Sequence, residues 1–241
     1  MNIVYDEEDI TKKACLHLTE MIKNHGEVPL LLLLSGGSAL KILEGVSEEV
    51  FAGNNLTVGM VDDRFTRDVR ASNFMQVRAT RFYLHGLRRG AVFIDSSVGE
   101  FETLETFAKR YETELKKWKK ANPTGIIRIV LGMGVDGHTA GILPHPEDPK
   151  KLDILFNGPG IVVGYDAGIK NEHRFRMTST FTLLKQSEQT LVYVTEEEKR
   201  GALEKIQAEK GSLAETPARI IKDLKNVTLF TDINYDILDT H

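Results

Sequence analysis

The chain has 241 residues, with 31 Lys plus Arg against 35 Asp plus Glu, a formal charge of −4. Hydrophobic residues at 41% and charged residues at 27% supply enough apolar surface to offset chain entropy, which excludes disorder as the main state. The charge balance also excludes a duplex-coating nucleic-acid binder, which carries a basic domain or stripe; a small anion held by a few placed cations remains open.

The first residues are acidic where a secretory signal is basic and then apolar. The longest apolar run, residues 30–34, is far short of the roughly 20 residues that cross a bilayer. A soluble cytoplasmic protein with no membrane partner is expected. Cys15 is the single cysteine, which excludes an internal disulfide and a multi-cysteine metal site. Cys packs like a small hydrophobe, so Cys15 is expected in the core of the first helix.

In chain order, residues 9–25 place Ile10, Ala14, Leu18, Met21 and Ile22 at helical spacing. Leu30 to Leu34 reads as a strand buried on both faces, followed by a helix near residues 39–43. Residues 56–61 read as a strand, 72–81 as a helix and 91–94 as a short strand. The longest helical stretch is 100–121, and 126–131 is the clearest strand. Further strands are expected at 161–165, 190–194 and 227–230, with a helix at 197–208. The alternation predicts an α/β fold: a single doubly wound, mainly parallel sheet with helices on both faces, Rossmann-like, in one domain over 1–241. Such sheets bind ligands beyond the carboxyl ends of their strands. Three unusual segments fall at those ends.

The first is Ser35-Gly36-Gly37-Ser38, between a strand and a helix. Its glycines allow a tight turn whose N–H groups approach an anion; alternatively Ser38 only caps the helix. The Gly-Lys-Ser/Thr ending of a nucleotide P-loop is absent, which disfavours ATP or GTP. The second runs from Asp62-Asp63-Arg64 to Ser72-Asn73. It offers carboxylates and an arginine suited to phosphate, or else a solvated loop with local ion pairs.

The third is Gly132-Met133-Gly134-Val135-Asp136-Gly137-His138-Thr139-Ala140. Its glycines fit the dinucleotide spacing, but Pro144, Pro146 and Pro149 follow within two turns, where that motif needs a full helix. No acid-ended strand lies about 20 residues on. Nicotinamide binding is therefore rejected. What remains is a glycine-rich turn presenting Asp136 and His138, a residue able to take a proton from water near neutrality. His145 and His173 read as surface residues.

These segments, in this order, resemble the 6-phosphogluconolactonase family, relatives of the glucosamine-6-phosphate deaminases. The match rests on Ser35–Ser38, Asp62-Asp63-Arg64 with Ser72-Asn73, the 132–140 block, Arg176-Met177-Thr178, Lys199 and Pro217-Ala218. Departures are Asp63 for the usual Glu, Gly141-Ile142-Leu143 for Ser-Leu-Phe, and a chain end at 234–241 short of aromatic features. The resemblance implies hydrolysis of 6-phospho-D-glucono-1,5-lactone without metal or other cofactor, the partner being that small phosphorylated sugar lactone. It further implies His138 as general base, Asp136 as its orienting acid, and Ser35, Gly36, Gly37, Ser38, Arg176 and Lys199 around the phosphate. Asp62 would meet sugar hydroxyls, and Arg64 would hold phosphate or stabilise the oxyanion. For Arg176 and Lys199 the alternative is exposed cations after strands. The deaminase branch of the same fold carries Glu before the proline where Leu143 stands, and Tyr where Arg64 stands. A non-catalytic phosphosugar sensor is the rival from another class. Oligomeric state is not fixed by the sequence.

Overall fold

Five consecutive leucines form strand β2 (Leu30–Leu34), and all five are buried. Successive strand residues point to opposite faces. Leu31 and Leu33 accordingly join one core, while Leu30, Leu32 and Leu34 join another on the far side of the sheet. A strand flanked on both sides by core has no solvent face, which is why no polar residue alternates along it. The structure, a computed structural model, describes residues 1–53 and 55–234. The chain-end reading at 235–241 lies outside the described residues.

The first half contains β1 (Asn2–Tyr5), α1 (Ile10–Lys23), β2, β3 (Leu56–Met60) and β4 (Asp62–Arg64). It continues through α2 (Asn73–Arg78), α3 (Arg81–Arg88), β5 (Val92–Phe93) and α4 (Leu104–Ala121). The second half contains β6 (Ile126–Gly132), α5 (Pro149–Phe156), β7 (Val162–Asp166) and β8 (Phe175–Ser179). Then follow α6 (Phe181–Leu184), β9 (Gln189–Val194), α7 (Arg200–Gln207) and β10 (Val227–Thr231). The main sheet has seven strands in the order β1-β10-β9-β6-β2-β3-β5. All its pairings are parallel.

Ile10, Ala14, Leu18, Met21 and Ile22 of α1 pack on one face, as their spacing predicts, and Cys15 is buried with them. Phe107, Tyr111 and Leu115 of α4, with Ala202, Leu203 and Ile206 of α7, cover the other face. The expected doubly wound α/β sheet is present. No helix among the described residues is long and apolar enough to cross a membrane.

From β2 the chain winds one way to β3 and β5, then crosses back to place β6 on the other side of β2. The loops after β2 and β6 therefore leave adjacent strand ends in opposite senses, which opens a crevice there.

The sequence reading missed several elements. A second sheet, β4-β8-β7, is antiparallel, with Asp62 opposite Thr178 and Arg64 opposite Arg176. The 161–165 strand belongs to this small sheet. The 72–81 helix is two helices, α2 and α3, each capped by a hydroxyl: Ser72 accepts from Met75 N and Thr80 from Tyr83 N. The helix after Ser38 is a 3₁₀ turn, Gly37–Leu43, with no side-chain cap. Pro149 does not break a helix; it opens α5, where its missing N–H is harmless.

Candidate active site

The crevice at the ends of β2 and β6 encloses about 220 Å³. Ser35, Gly36, Gly37, Ser38, Asp62, Arg64, His138, Arg176 and Lys199 all line it. Asp136 stands behind, bonded to His138. All ten residues expected from the sequence are thus brought together.

The block after β6 is shaped around the histidine. Asp136 Oδ1 accepts the backbone N–H of His138 at 3.0 Å and lies 2.6 Å from its Nδ1. Burial works against the charge of Asp136, but its bonds to His138 outweigh that and hold the carboxyl below the ordinary range. An ionised carboxylate only accepts, so in the neutral imidazole Nδ1 carries the shared proton and Nε2 the lone pair. Gly134 is required by contact: a β-carbon there would lie 2.1 Å from His138 Nδ1 and 2.7 Å from Asp136 Oδ1. Gly134→Ala is expected to displace the imidazole and lower turnover by about tenfold to a hundredfold, read from kcat alongside an unchanged far-UV spectrum.

The small sheet holds the far side of this loop. Thr178 Oγ1 donates to Ala140 O, and Tyr165 Oη donates to Gly141 O at 2.6 Å. These bonds sustain Ala140 at φ +50°, which a β-carbon disfavours.

The Asp-Asp-Arg segment divides its labour. Asp63 is fully buried and accepts from Arg64 N (2.8 Å), Asn73 N (2.7 Å), Phe74 N (3.1 Å), Ser72 Oγ (3.2 Å) and Ser96 Oγ (2.8 Å). Burial pushes its carboxyl up to about 6 against those donors. Asp63 thus ties β4 to the first turn of α2 and takes no part in lining the crevice. Its neighbour Asp62 faces the crevice.

Arg64 and Arg176 sit directly opposite each other in the β4–β8 ladder, so their side chains share a face. Like charges there repel. Arg176 is 3% exposed, and the carboxylate of Asp62 is 3.9 Å away. Its Nε and Nη1, and the Nε of Arg64, have no hydrogen-bond partner among the described residues. Burial lowers the Arg64 guanidinium from its ordinary range, with Asp62 opposing and Arg176 adding to the effect. Lys199, which also lines the crevice and is 7% exposed, donates to Ser38 Oγ at 3.2 Å. Ser38 therefore meets this lysine and caps no helix. Three buried or half-buried cations face one lining carboxylate, Asp62, which makes the crevice a place for an anion.

Asn73, for which the sequence implies no site role, also lines the crevice. Its Nδ2 donates to Asp62 O at 2.9 Å, while a β-carbon on Gly36 would fall 2.0 Å from its Oδ1. One histidine reading needs correction. His145 is 3% exposed, because its backbone N–H reaches Ala214 O and the proline-flanked loop folds inward. His173 is half-buried, and burial together with the nearby charge of Arg64 lowers its pKa.

Residues 6–230 match the model of a family described as glucosamine-6-phosphate isomerases/6-phosphogluconolactonase. The chain belongs to that family. A relative from Haemophilus influenzae named 6-phosphogluconolactonase is 30% identical over 209 residues, 83% of each chain. Among solved structures, a 6-phosphogluconolactonase from Leishmania guyanensis superposes with a TM-score of 0.75 at 20% identity over 95% of both chains. One from Thermotoga maritima gives 0.73 at 21% identity, covering 95% of this chain and 98% of that one. At those identities the structural likeness establishes the family fold, and the sequence matches establish membership.

Proposed function

We propose that this chain hydrolyses 6-phospho-D-glucono-1,5-lactone to 6-phospho-D-gluconate, acting in the cytoplasm as one domain over residues 1–241. One observation carries the proposal. The His138–Asp136 pair, 2.6 Å apart, opens onto the same crevice as two adjacent arginines, of which Arg176 Nε and Nη1 and Arg64 Nε lack hydrogen-bond partners among the described residues. A base for water and a site for an anion are what a phosphorylated lactone calls for. The name of the Haemophilus influenzae relative points to the same substrate.

The chemistry follows from the tautomer. Asp136 holds the proton on Nδ1, so Nε2 of His138 takes a proton from water as that water attacks the lactone carbonyl carbon. A carbon–oxygen bond forms to the water oxygen, and the carbonyl oxygen gains negative charge in a crevice of net positive potential. The bond from that carbon to the ring oxygen then breaks. The proton on Nε2 passes to the ring oxygen, which becomes the C5 hydroxyl. The new carboxylic acid ionises to solvent. Asp136 remains ionised throughout and steadies the imidazolium. An activated lactone needs positioning, a base and local positive charge, so no cofactor enters the proposal.

Because Arg64 and Arg176 share one face of the small sheet, they serve one anion, which we take to be the 6-phosphate. Lys199, Ser38 and the turn at Gly36 and Gly37 complete its surroundings, with Ser35 beside them. Asp62 accepts from sugar hydroxyls. The test is a crystal structure with 6-phosphogluconate bound. The phosphate is expected on Arg64, Arg176 and Lys199, with the C1 carboxylate within hydrogen-bond reach of His138 Nε2. A sugar lying in the opposite direction would overturn these assignments.

A further inference from the structure

Glu196 occupies the loop between β9 and α7 with φ +85° and ψ 121°. A residue with a β-carbon pays in stability for that conformation, and such outliers gather where structure serves function. Among the described residues only Ala140 and Asn226 share a positive φ without being glycine. The backbone of Glu196 is pinned there by its N–H, which donates to Asp232 Oδ1 at 3.0 Å.

The pinned backbone aims a carboxylate at the wall of the crevice. Glu196 Oε2 lies 3.5 Å from Lys199 Nζ, and Oε1 lies 3.6 Å from Lys41 Nζ. Lys199 is the cation that also reaches Ser38. Lys41 stands on the 3₁₀ turn that follows the Ser-Gly-Gly-Ser loop. Both ion pairs are longer than a charge-assisted hydrogen bond of about 2.7–2.9 Å. The Glu196 side chain is 53% exposed, so water replaces Lys199 easily if an incoming anion takes the lysine.

We infer that Glu196 determines specificity: its carboxylate competes with the phosphate of the substrate for Lys199, and so sets how tightly phosphorylated ligands are held. This rests on placing the phosphate at Lys199 and Ser38, as above. With a phosphate dianion on Lys199, the Glu196 carboxylate is a like charge a few ångströms away, and binding is weakened. The product gains a carboxylate and keeps its phosphate, so a weakened grip also favours its release.

The test is calorimetric titration of inorganic phosphate and of 6-phosphogluconate into the wild type, Glu196→Gln, Glu196→Gly and Lys199→Met. It is paired with kcat/KM for the phosphorylated lactone and for the unphosphorylated glucono-1,5-lactone. Glu196→Gln is expected to tighten both anions by about threefold to tenfold at low salt, and to raise the preference for the phosphorylated lactone by the same factor. Glu196→Gly should do the same and also raise the melting temperature, since glycine adopts a positive φ freely. A purely structural Glu196 would move both lactones alike, which would overturn the inference. If Glu196→Gln leaves phosphate affinity unchanged while Lys199→Met weakens it, the inference fails and the phosphate site stands. If neither substitution changes it, the placement of the phosphate at Lys199 fails as well.

Discussion

His138→Ala is expected to lower kcat for the phosphorylated lactone by about 10²- to 10⁴-fold, the usual contribution of a positioned general base. Affinity for 6-phosphogluconate should change by less than about threefold, because the charged anchors proposed for that ligand are Arg64, Arg176 and Lys199, which line the crevice. The split between kcat and affinity separates a base from a binding residue. Asp136→Asn adds a sharper test. An amide in that place accepts the Nδ1 proton less well and lets the ring take the other tautomer, so a loss of up to about 10⁴-fold is expected with the imidazole still present. Initial rates on freshly generated substrate, corrected for spontaneous decay, measure both. A His138→Ala rate equal to the wild type would remove His138 from the chemistry.

Arg176→Met is expected to act in the reverse sense, raising KM by about tenfold to a hundredfold through lost charge-assisted hydrogen bonds. The same substitution should leave the unliganded protein as stable as before or more so. Arg176 is a buried cation with two nitrogens unpartnered among the described residues, opposite Arg64 and 3.9 Å from Asp62. Removing it ends a like-charge repulsion and an unmet desolvation. What it forfeits is stabilisation by ligand, so the rise in melting temperature on adding phosphate should shrink. Thermal denaturation with and without phosphate reads both effects. A steep loss of stability without ligand would instead mark the Asp62–Arg176 pair as structural, and an unchanged KM would remove Arg176 from the site.

The parts of this molecule that were legible in the sequence share a physical reason. Leu30 to Leu34 and residues 126–131 are buried on both faces, so they appear as apolar runs, the second interrupted by Arg128, and the glycine-rich segments after them mark where those strands end. Since β2 and β6 are neighbours at the switch of the sheet, the residues at their ends had to meet. The small antiparallel sheet was hidden for the opposite reason. Its strand β4 is three charged residues, Asp62, Asp63 and Arg64, separated from β3 by Val61 alone, so the two read as one strand and a loop. Its partner β8 lies over a hundred residues later, and nothing local in Phe175–Ser179 announces the pairing. Yet that pairing sets Arg64 beside Arg176. Individual cations were legible; their juxtaposition was not. The buried His145 was likewise obscured, because three nearby prolines signal a loop and say nothing about which way it folds.

The activity proposed for this crevice is hydrolysis of a phosphorylated lactone. The most direct test measures acid release from freshly generated 6-phospho-D-glucono-1,5-lactone against a buffer blank, with ammonia release from glucosamine 6-phosphate run in parallel. Hydrolysis well above the blank, lost in His138→Ala, and no ammonia is the expected result. Lactone decay equal to the blank while 6-phosphogluconate still binds, or a clear ammonia signal, would contradict the claim.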